Sequence, residues 1–307
     1  MDGMALAYLE NIWLDLRPKN MKASVCIVNL NAKKHLDLCL SSLPEALDDV
    51  PYETIVVDNH SSDGSVEYLE ECYPGIHILK HKRNEGYTRA INAALKMAKG
   101  DFIVVLNPDA VPDPDSLITL IRFLEKNLEI GICGPKVVNE NGSFQKSCRR
   151  GIARPAAVFS YFLGLAKLYP TDTRFTGYHL NHLDENEINE VDGISGSCMV
   201  IRRELMYQVG LFDERFFAYQ EDSDYCLRTK EKGWKVFYNP ESLVTHTGGA
   251  GGSGTFPMRS IFEWHRSYYK YYYKHFSGDY PAIFNIFYSI FMVGKLLFAE
   301  VKYVLIR

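Results

Sequence analysis

Hydrophobic positions follow two alternating rhythms along the first 130 residues. Short, nearly continuous apolar runs ("ASVCIVNLN" from Ala23, "ETIVVDN" from Glu53, "GIHILKH" from Gly75, "DFIVVLN" from Asp101) read as strands covered on both faces. Between them, apolar residues recur at helical spacing. One stripe joins Leu36, Cys39, Leu40, Leu43 and Leu47, and a short helix over "SVEYLEECYPG" closes at Pro74-Gly75. Further stripes join Tyr87, Ala90, Ile91, Ala94, Leu95 and Ala98, then Leu117, Leu120, Ile121, Leu124 and Leu128. Gly100 stands where a helix C-terminus accommodates glycine, and Asp113-Pro114 is a helix start signal. Strands alternating with helices predict an α/β fold with a Rossmann-like, mostly parallel sheet and helices on both faces. Ligands of such sheets bind at the carboxyl ends of the strands. Asn29 and Asn31 follow the first strand, Asp58 the second, and Asn107-Pro108-Asp109 the fourth, so polar groups gather along one rim.

After about residue 135 the rhythm changes. "PKVVNENGSFQKS" predicts a hairpin turning at Asn141-Gly142. No element is assigned from Arg149 to Glu190. "GSCMVIRR" and "WKVFYNP" read as strands, "QEDSDYCLRTKEKG" as a helix, and the last fifty residues as helical and tyrosine-rich. The chain then divides into an N-terminal extension (1–22), an alternating strand–helix half (23–135), a second half of mixed pattern (136–255) and a C-terminal helical segment (256–307). From Ala282 to Ile306 the chain is strongly apolar, broken only by Lys295, Glu300 and Lys302. That pattern predicts an amphipathic helix packed on the body or a partner, including a second copy, or on a membrane surface, rather than a spanning helix.

Composition narrows the class. A hydrophobic fraction of 47% and a charged fraction of 23% are those of a globular protein, and the net charge of −4 argues against nucleic acid as partner. Seven cysteines without a C-x-x-C pair suggest neither a disulfide framework nor a zinc site, which fits a cytoplasmic protein. The first twenty residues lack a basic start and a long apolar core, so no signal peptide is expected.

Several residues admit both a chemical and a plain structural reading. Asp109 at a strand end suits a divalent cation, Mg²⁺ or Mn²⁺, or else a turn in an Asp/Pro-rich loop. In "FFAYQEDSDYCLR", Glu221 and Asp224 share one helix face while Asp222 points elsewhere. A carboxylate among Phe216, Phe217 and Tyr219 suits a general base, whereas Asp224 also stands four residues from Arg228. His246 in "VTHTGG" is a ligand or a satisfied structural histidine. Arg83 and Arg89, near a helix start, favour phosphate or belong to an ordinary helix surface. Gly249, Gly251 and Gly254 spell G-x-G-x-x-G, but outside the strand–helix context that gives the pattern meaning; they are read as a flexible loop.

Taken together and in order, "CIVNLN", "IVVDNHSSDGS", "NEGYTRAIN", "VVLNPDA", "SGSCMVIRR", "GLFDERFFAYQEDSDYCLR" and "VTHTGG" resemble family 2 glycosyltransferases, nearest to the rhamnosyltransferase-like branch. The resemblance runs from about Ala23 to Gly252 and implies a nucleotide-sugar-binding half over 23–135 and an acceptor-binding, catalytic half over 136–255. It implies a GT-A fold, a nucleotide-diphosphate sugar donor, a divalent cation and inversion at the anomeric carbon. By the same resemblance Asp58, Asn29 and Asn31 contact the donor nucleotide, with Arg89 near the phosphates. Asn107-Pro108-Asp109 stands at the D-x-D position, so Asp109 binds metal and His246 completes that site. Asp222 is the catalytic base, Glu221 or Asp224 orients or binds acceptor, and Gly196 and Ser197 border the acceptor pocket. The reaction implied is transfer of one hexose to a glycan or lipid-linked acceptor in cell-surface polysaccharide synthesis, by a cytoplasmic protein that is at most peripheral on the membrane. Asn107 departs from the family's first acid, Leu30 replaces a frequent tyrosine, and "EWHRSYYKYYYKH" stands in place of the processive Q-x-x-R-W. A nucleotidyltransferase, or a sugar-binding relative without catalysis, remains the alternative from another class.

Overall fold

The computed structural model describes residues 21–48, 50–169 and 172–306. The expectations for residues 1–20, the N-terminal extension and the absence of a signal peptide, lie outside the described residues. The strands are β1 (Ala23–Asn29), β2 (Tyr52–Asp58), β3 (His77–Lys80), β4 (Phe102–Leu106), β5 (Ala110–Pro112) and β6 (Ile130–Val138), then β7 (Arg149–Arg150), β8 (Asn189–Glu190), β9 (Gly193–Ile194), β10 (Cys198–Arg202) and β11 (Lys235–His246). The principal helices are α1 (Lys33–Leu47), α2 (Ser65–Cys72), α3 (Tyr87–Met97), α4 (Ser116–Lys126), α5 (Pro155–Phe162), α6 (Arg203–Val209), α7 (Glu221–Glu231), α8 (Pro257–His275) and α9 (Ala282–Ile306).

The main sheet runs β3-β2-β1-β4-β10-β6-β11-β5, with β8 alongside β11, and β7 pairs with β9 in a separate two-stranded ribbon. Strands β3, β2, β1 and β4 are parallel to their neighbours, as the α/β pattern predicts. β10 enters antiparallel between β4 and β6, and β11 returns parallel to β6. The order reverses at β1, which lies between β2 and β4, and this is where open sheets leave a crevice beyond their carboxyl ends. The predicted stripes pack on the sheet, Leu36, Cys39, Leu40, Leu43 and Leu47 covering one face and Ala90, Ile91, Ala94 and Leu95 the other, except that Leu128 falls beyond the end of α4 and is exposed.

Two local expectations are corrected. The Asn141-Gly142 turn forms, with Gly142 at φ +79° and its N–H donating to the Asn139 carbonyl (2.8 Å). The hairpin beyond it is a single bridge, Val138 to Phe144, because β6 takes its ladders from β10 and β11 instead. Gly100 does not cap α3, whose C-terminal residue Ala98 has ordinary negative φ. The glycine is needed because the chain passes against β1: a Cβ there would sit 2.4 Å from the Ala23 carbonyl carbon, and the Gly100 N–H donates to Ser24 Oγ at 2.7 Å.

A third core joins α5, α8 and α9 through Val158, Tyr178, Phe216, Tyr268, Tyr271, Tyr272, Tyr288 and Met292, with Leu227 of α7 packed against it. Six cysteines are buried and Cys72 alone is exposed. Substituting Gly100→Ala is expected to cost about 1–3 kcal/mol, the usual penalty of forcing an extra methyl into a packed site. Urea unfolding would read this; an unchanged midpoint would mean that the Ala23–Ser24 backbone yields freely.

Candidate active site

Pro108 lacks the N–H needed to extend β4, so the strand stops at Leu106. The chain turns through Asn107–Asp109, with the Ala110 N–H donating to the Asn107 carbonyl (3.2 Å), and resumes as β5 against the end of β11. That pairing sets Ala110 opposite His246 and brings the Asp109 carboxylate 3.2 Å from His246 Nε2. The Asn107 side-chain amide meets the same nitrogen at 3.3 Å, Gln145 holds Nδ1 at 3.0 Å, and the Ala250 N–H donates to Asp109 Oδ2 (3.2 Å). Burial works against the charge on Asp109, but the hydrogen bond and charge of His246 outweigh it and hold the carboxyl below its ordinary value. A carboxylate and an imidazole, with an amide beside them, fit a Mg²⁺ or Mn²⁺ that draws its remaining ligands from substrate phosphates and water. Among the described residues there is no cluster of three or more acidic, histidine or cysteine ligands.

A cavity of about 440 Å³ opens at this rim, walled by Val28, Leu30, Asn59 and Asn84 on one side of the Asn107–Asp109 turn. Asn29, Asn31 and Asp58 lie just behind that wall. The Asn29 amide donates to Asp58 (3.0 Å), Asp58 accepts from the Ser61 N–H (2.9 Å), and Asn31 accepts from the Ser62 N–H (2.7 Å). They shape the loops, while Asn59, which sequence reasoning passed over, reaches the cavity and binds Asn84 (3.1 Å). Arg89 sits outside, half exposed and 3.4 Å from Glu214. The glycine-rich stretch does not open a dinucleotide fold; residues 252–255 form one helical turn, and Gly249, Gly251 and Gly252 wall the cavity. A side chain at Gly252 would meet Leu30 Cδ2 at 2.8 Å.

Opposite this rim, Tyr219 and Gln220 adopt left-handed φ values of 66° and 62°, a strained turn that delivers the first residues of α7 into the cavity. Asp222 accepts from the Gly196 N–H (2.9 Å), from the Ser223 N–H (2.6 Å) and from the Arg150 guanidinium. The β7–β9 ribbon brings Arg150 and the chain leading to Gly196 to this carboxylate; sequence reasoning left Arg150 unassigned. Ser197 also lines the cavity, its carbonyl accepting from the Asn107 N–H at 3.0 Å. Burial, reinforced by the Asp222 charge, pushes the Glu221 carboxyl up to about 8. Asp224 is turned away from the cavity and fully buried. It accepts from Arg228 (2.8 Å), from Lys274 and from His275 (2.7 Å), a structural tie between α7 and α8.

The lining is unusual in its unpartnered polar atoms. Tyr87 Oη, Arg150 Nε, His179 Nδ1, Gln220 Oε1, Glu221 Oε2 and Glu263 Oε2 are all buried, all on residues that line this cavity, and without hydrogen bonds. A buried polar atom left unmatched costs about 1–3 kcal/mol. Concentrated here, the deficit marks a surface built for a polar ligand.

Residues 24–210, more than half the chain, match the model of glycosyl transferase family 2. The N-acetylglucosaminyl-diphospho-decaprenol L-rhamnosyltransferase of Mycobacterium tuberculosis is 30% identical over 256 residues, 80% of this chain and 82% of that protein. Rhamnosyltransferase WbbL of Escherichia coli is 25% identical over 71% of this chain and 80% of its own. Among solved structures, the mannosyltransferase PcManGT from Pyrobaculum calidifontis, in complex with GDP-Man and Mn²⁺, superposes with a TM-score of 0.53 at 18% identity, over 87% of this chain and 70% of its own. GalNAc-T7 with UDP, GalNAc and Mn²⁺ gives 0.56 at 17% identity, over 83% of this chain and 48% of its own, so the chain spans about half of that protein. These two share the GT-A fold. With its sequence and its sheet in agreement, the chain is a glycosyltransferase and belongs to glycosyl transferase family 2.

Proposed function

We propose that the protein transfers one hexose from a nucleotide-diphosphate donor, dTDP-rhamnose or a UDP-sugar, to a hydroxyl of a glycan or lipid-linked acceptor, with inversion. The carrying observation is the single cavity that has the Asp109–His246 pair on one wall and the Glu221–Asp222 pair on the other. The relatives' names, an L-rhamnosyltransferase acting on a decaprenol-linked sugar and a second rhamnosyltransferase, support the sugar and the acceptor class.

In this reading the nucleotide lies along Val28, Leu30, Asn59 and Asn84, on loops that Asn29, Asn31 and Asp58 hold in shape. Asp109 and His246, with Asn107 alongside, hold a divalent cation that, when bound, supplies Lewis-acid stabilisation to the leaving diphosphate. Asp222 is the base that takes the acceptor hydroxyl's proton, its carboxylate oriented by Gly196 and Arg150. Glu221, protonated at neutral pH, donates a hydrogen bond to a substrate oxygen from the same helix start.

The apolar helix α9 supports a seat on a membrane surface. Its stretch of 24 residues from Ala282 to Leu305 is apolar enough to cross a bilayer by length and composition. Yet it packs one side on α5 through Phe159 and Phe162, with Lys295 over the Phe162 ring. Its other side exposes Ile283, Ile286, Phe287, Ile290, Val293, Leu297, Val301 and Val304 as one stripe without a charge. α5 leads into exposed Leu163 and Leu168. A stripe of this kind, on a helix anchored to the body, fits the interface of a bilayer that carries the acceptor.

Asp222→Asn is expected to lower transfer about 10²–10⁴-fold, the range for loss of a general base, while nucleotide still raises the melting temperature. Glu221 is protonated below about 8, so the wild-type rate should fall as pH rises through that value. Burial sets this position first; the Asp222 and Asp224 charges on the same helix add to it, the Arg150 guanidinium on the ribbon opposes it, and the Tyr87 hydroxyl on α3 lies within the field of the same carboxyl. Glu221→Gln should keep transfer and flatten that alkaline limb; transfer surviving Asp222→Asn but lost in Glu221→Gln would exchange the two roles.

For the donor side, UDP, dTDP and GDP would be compared for thermal stabilisation with and without Mn²⁺. Ligand that binds only the folded state raises stability by mass action. Metal-dependent stabilisation is expected for one base and should vanish in Asp109→Ala. Persistence of the metal effect in that variant would remove Asp109 from the cation site.

For the membrane seat, the chain should co-sediment with vesicles containing phosphatidylglycerol, and the Ile286→Ser, Ile290→Ser, Leu297→Ser triple variant should stay in solution. Equal co-sedimentation of both would overturn the assignment, as would a wild-type dimer that the triple variant abolishes.

A further inference from the structure

The cavity continues past Asp222 to an end built by α8 and the segment around α5, which the reaction as described leaves unused. Trp264 and Tyr268 are neighbours on α8, with ring centroids 4.4 Å apart. Tyr268 hydrogen-bonds Tyr178 through their hydroxyls, and Tyr178 and Tyr161 meet the His179 ring at 4.7 and 4.9 Å. Beside these rings, the Glu263 side chain is 6% exposed. One oxygen takes a hydrogen bond from Arg266 (3.0 Å), and the other has no partner. His179 offers a second acceptor. Burial and the Arg150 charge push its imidazole down to about 4, and the backbone of Lys146 engages the ring, while Nδ1 is unpartnered.

We propose that Glu263, Trp264, Tyr268, Tyr178, Tyr161 and His179 form a subsite for an uncharged, hydroxyl-rich pyranose of the acceptor. The inference rests on the transferase reading for the word acceptor, and on the geometry alone for the sugar. Aromatic faces with a few fixed polar groups are how pockets hold and orient small ligands, and the C–H face of a pyranose stacks on such rings. A buried carboxylate oxygen and a neutral imidazole nitrogen accept hydrogen bonds and donate none, so the matching ligand brings O–H groups. The same carboxylate repels an anionic sugar, which turns a hydroxyl-reading site into one that rejects uronic acids.

The test is ligand-observed NMR on the full chain, with and without dTDP and Mn²⁺, using methyl glycosides of a hexose, an N-acetylhexosamine and a hexuronic acid. At least one neutral glycoside should bind. Its affinity should fall tenfold or more in Trp264→Leu and in Glu263→Gln, with nucleotide-dependent stabilisation unchanged in both. Equal binding by the variants, preference for the hexuronic acid, or no glycoside bound by the wild type would overturn the subsite. Loss of nucleotide stabilisation in the wild type itself would instead strike the transferase reading and leave the sugar result to be judged separately.

Discussion

The buried carboxylate of Asp224 receives Arg228 from its own helix and Lys274 and His275 from α8, and the α7–α8 wall of the cavity hangs on that contact. A charge so far from water is tolerable only when it is fully paired, and removing one member of such a cluster leaves the others stranded. The ion cluster therefore makes the position of α8 an all-or-none matter. α7 carries the acids of the candidate site at its N-terminal end and Asp224 two residues beyond Asp222. The helix that presents the chemistry is thereby locked to the helix that walls the far end of the cavity.

The opposite wall depends on a different constraint, the failure of β4 to continue through Pro108. Because the chain re-enters the sheet as β5 on the end of β11, two segments about 140 residues apart meet at Asp109 and His246. Neither wall is made by one stretch of sequence. Strand ends supply the first, while the β7–β9 ribbon, the start of α7 and α8 supply the second.

Much of this was legible in the chain. The period-3.6 stripes and apolar runs located α1, α3, α4, β1, β2 and β4, since doubly covered strands and one-sided helices leave patterns in single segments. Asp109, Asp222, Gly196 and Ser197 could be singled out from their motifs, and all four line the cavity. What was not legible is what depends on pairing between distant segments. Nothing local marks Arg150 as the partner of Asp222, or tells Asp224 from Asp222, since one helical register turns the first into the core and the second into the cavity. The i+4 spacing to Arg228 was the one available signal for Asp224. Gly100 looked like a helix cap because sequence shows that glycine is tolerated, not whether a turn or a neighbouring backbone demands it. Glu263 and Trp264 stood in view in "EWHRSYYKYYYKH", but only as the stretch that replaces Q-x-x-R-W, and nothing local to it points either side chain into a cavity.

The distribution of thiols has a practical consequence. Burial raises the pKa of Cys26, Cys39, Cys133, Cys148, Cys198 and Cys226, and only the thiolate reacts. All six sit in the two cores that sandwich the sheet, whereas Cys72 stands in solvent at the end of α2. Alkylation of the native chain thus begins with a built-in reference at Cys72, and each further modification counts an opening of the interior. The molecule carries its own clock for the breathing of its sheet.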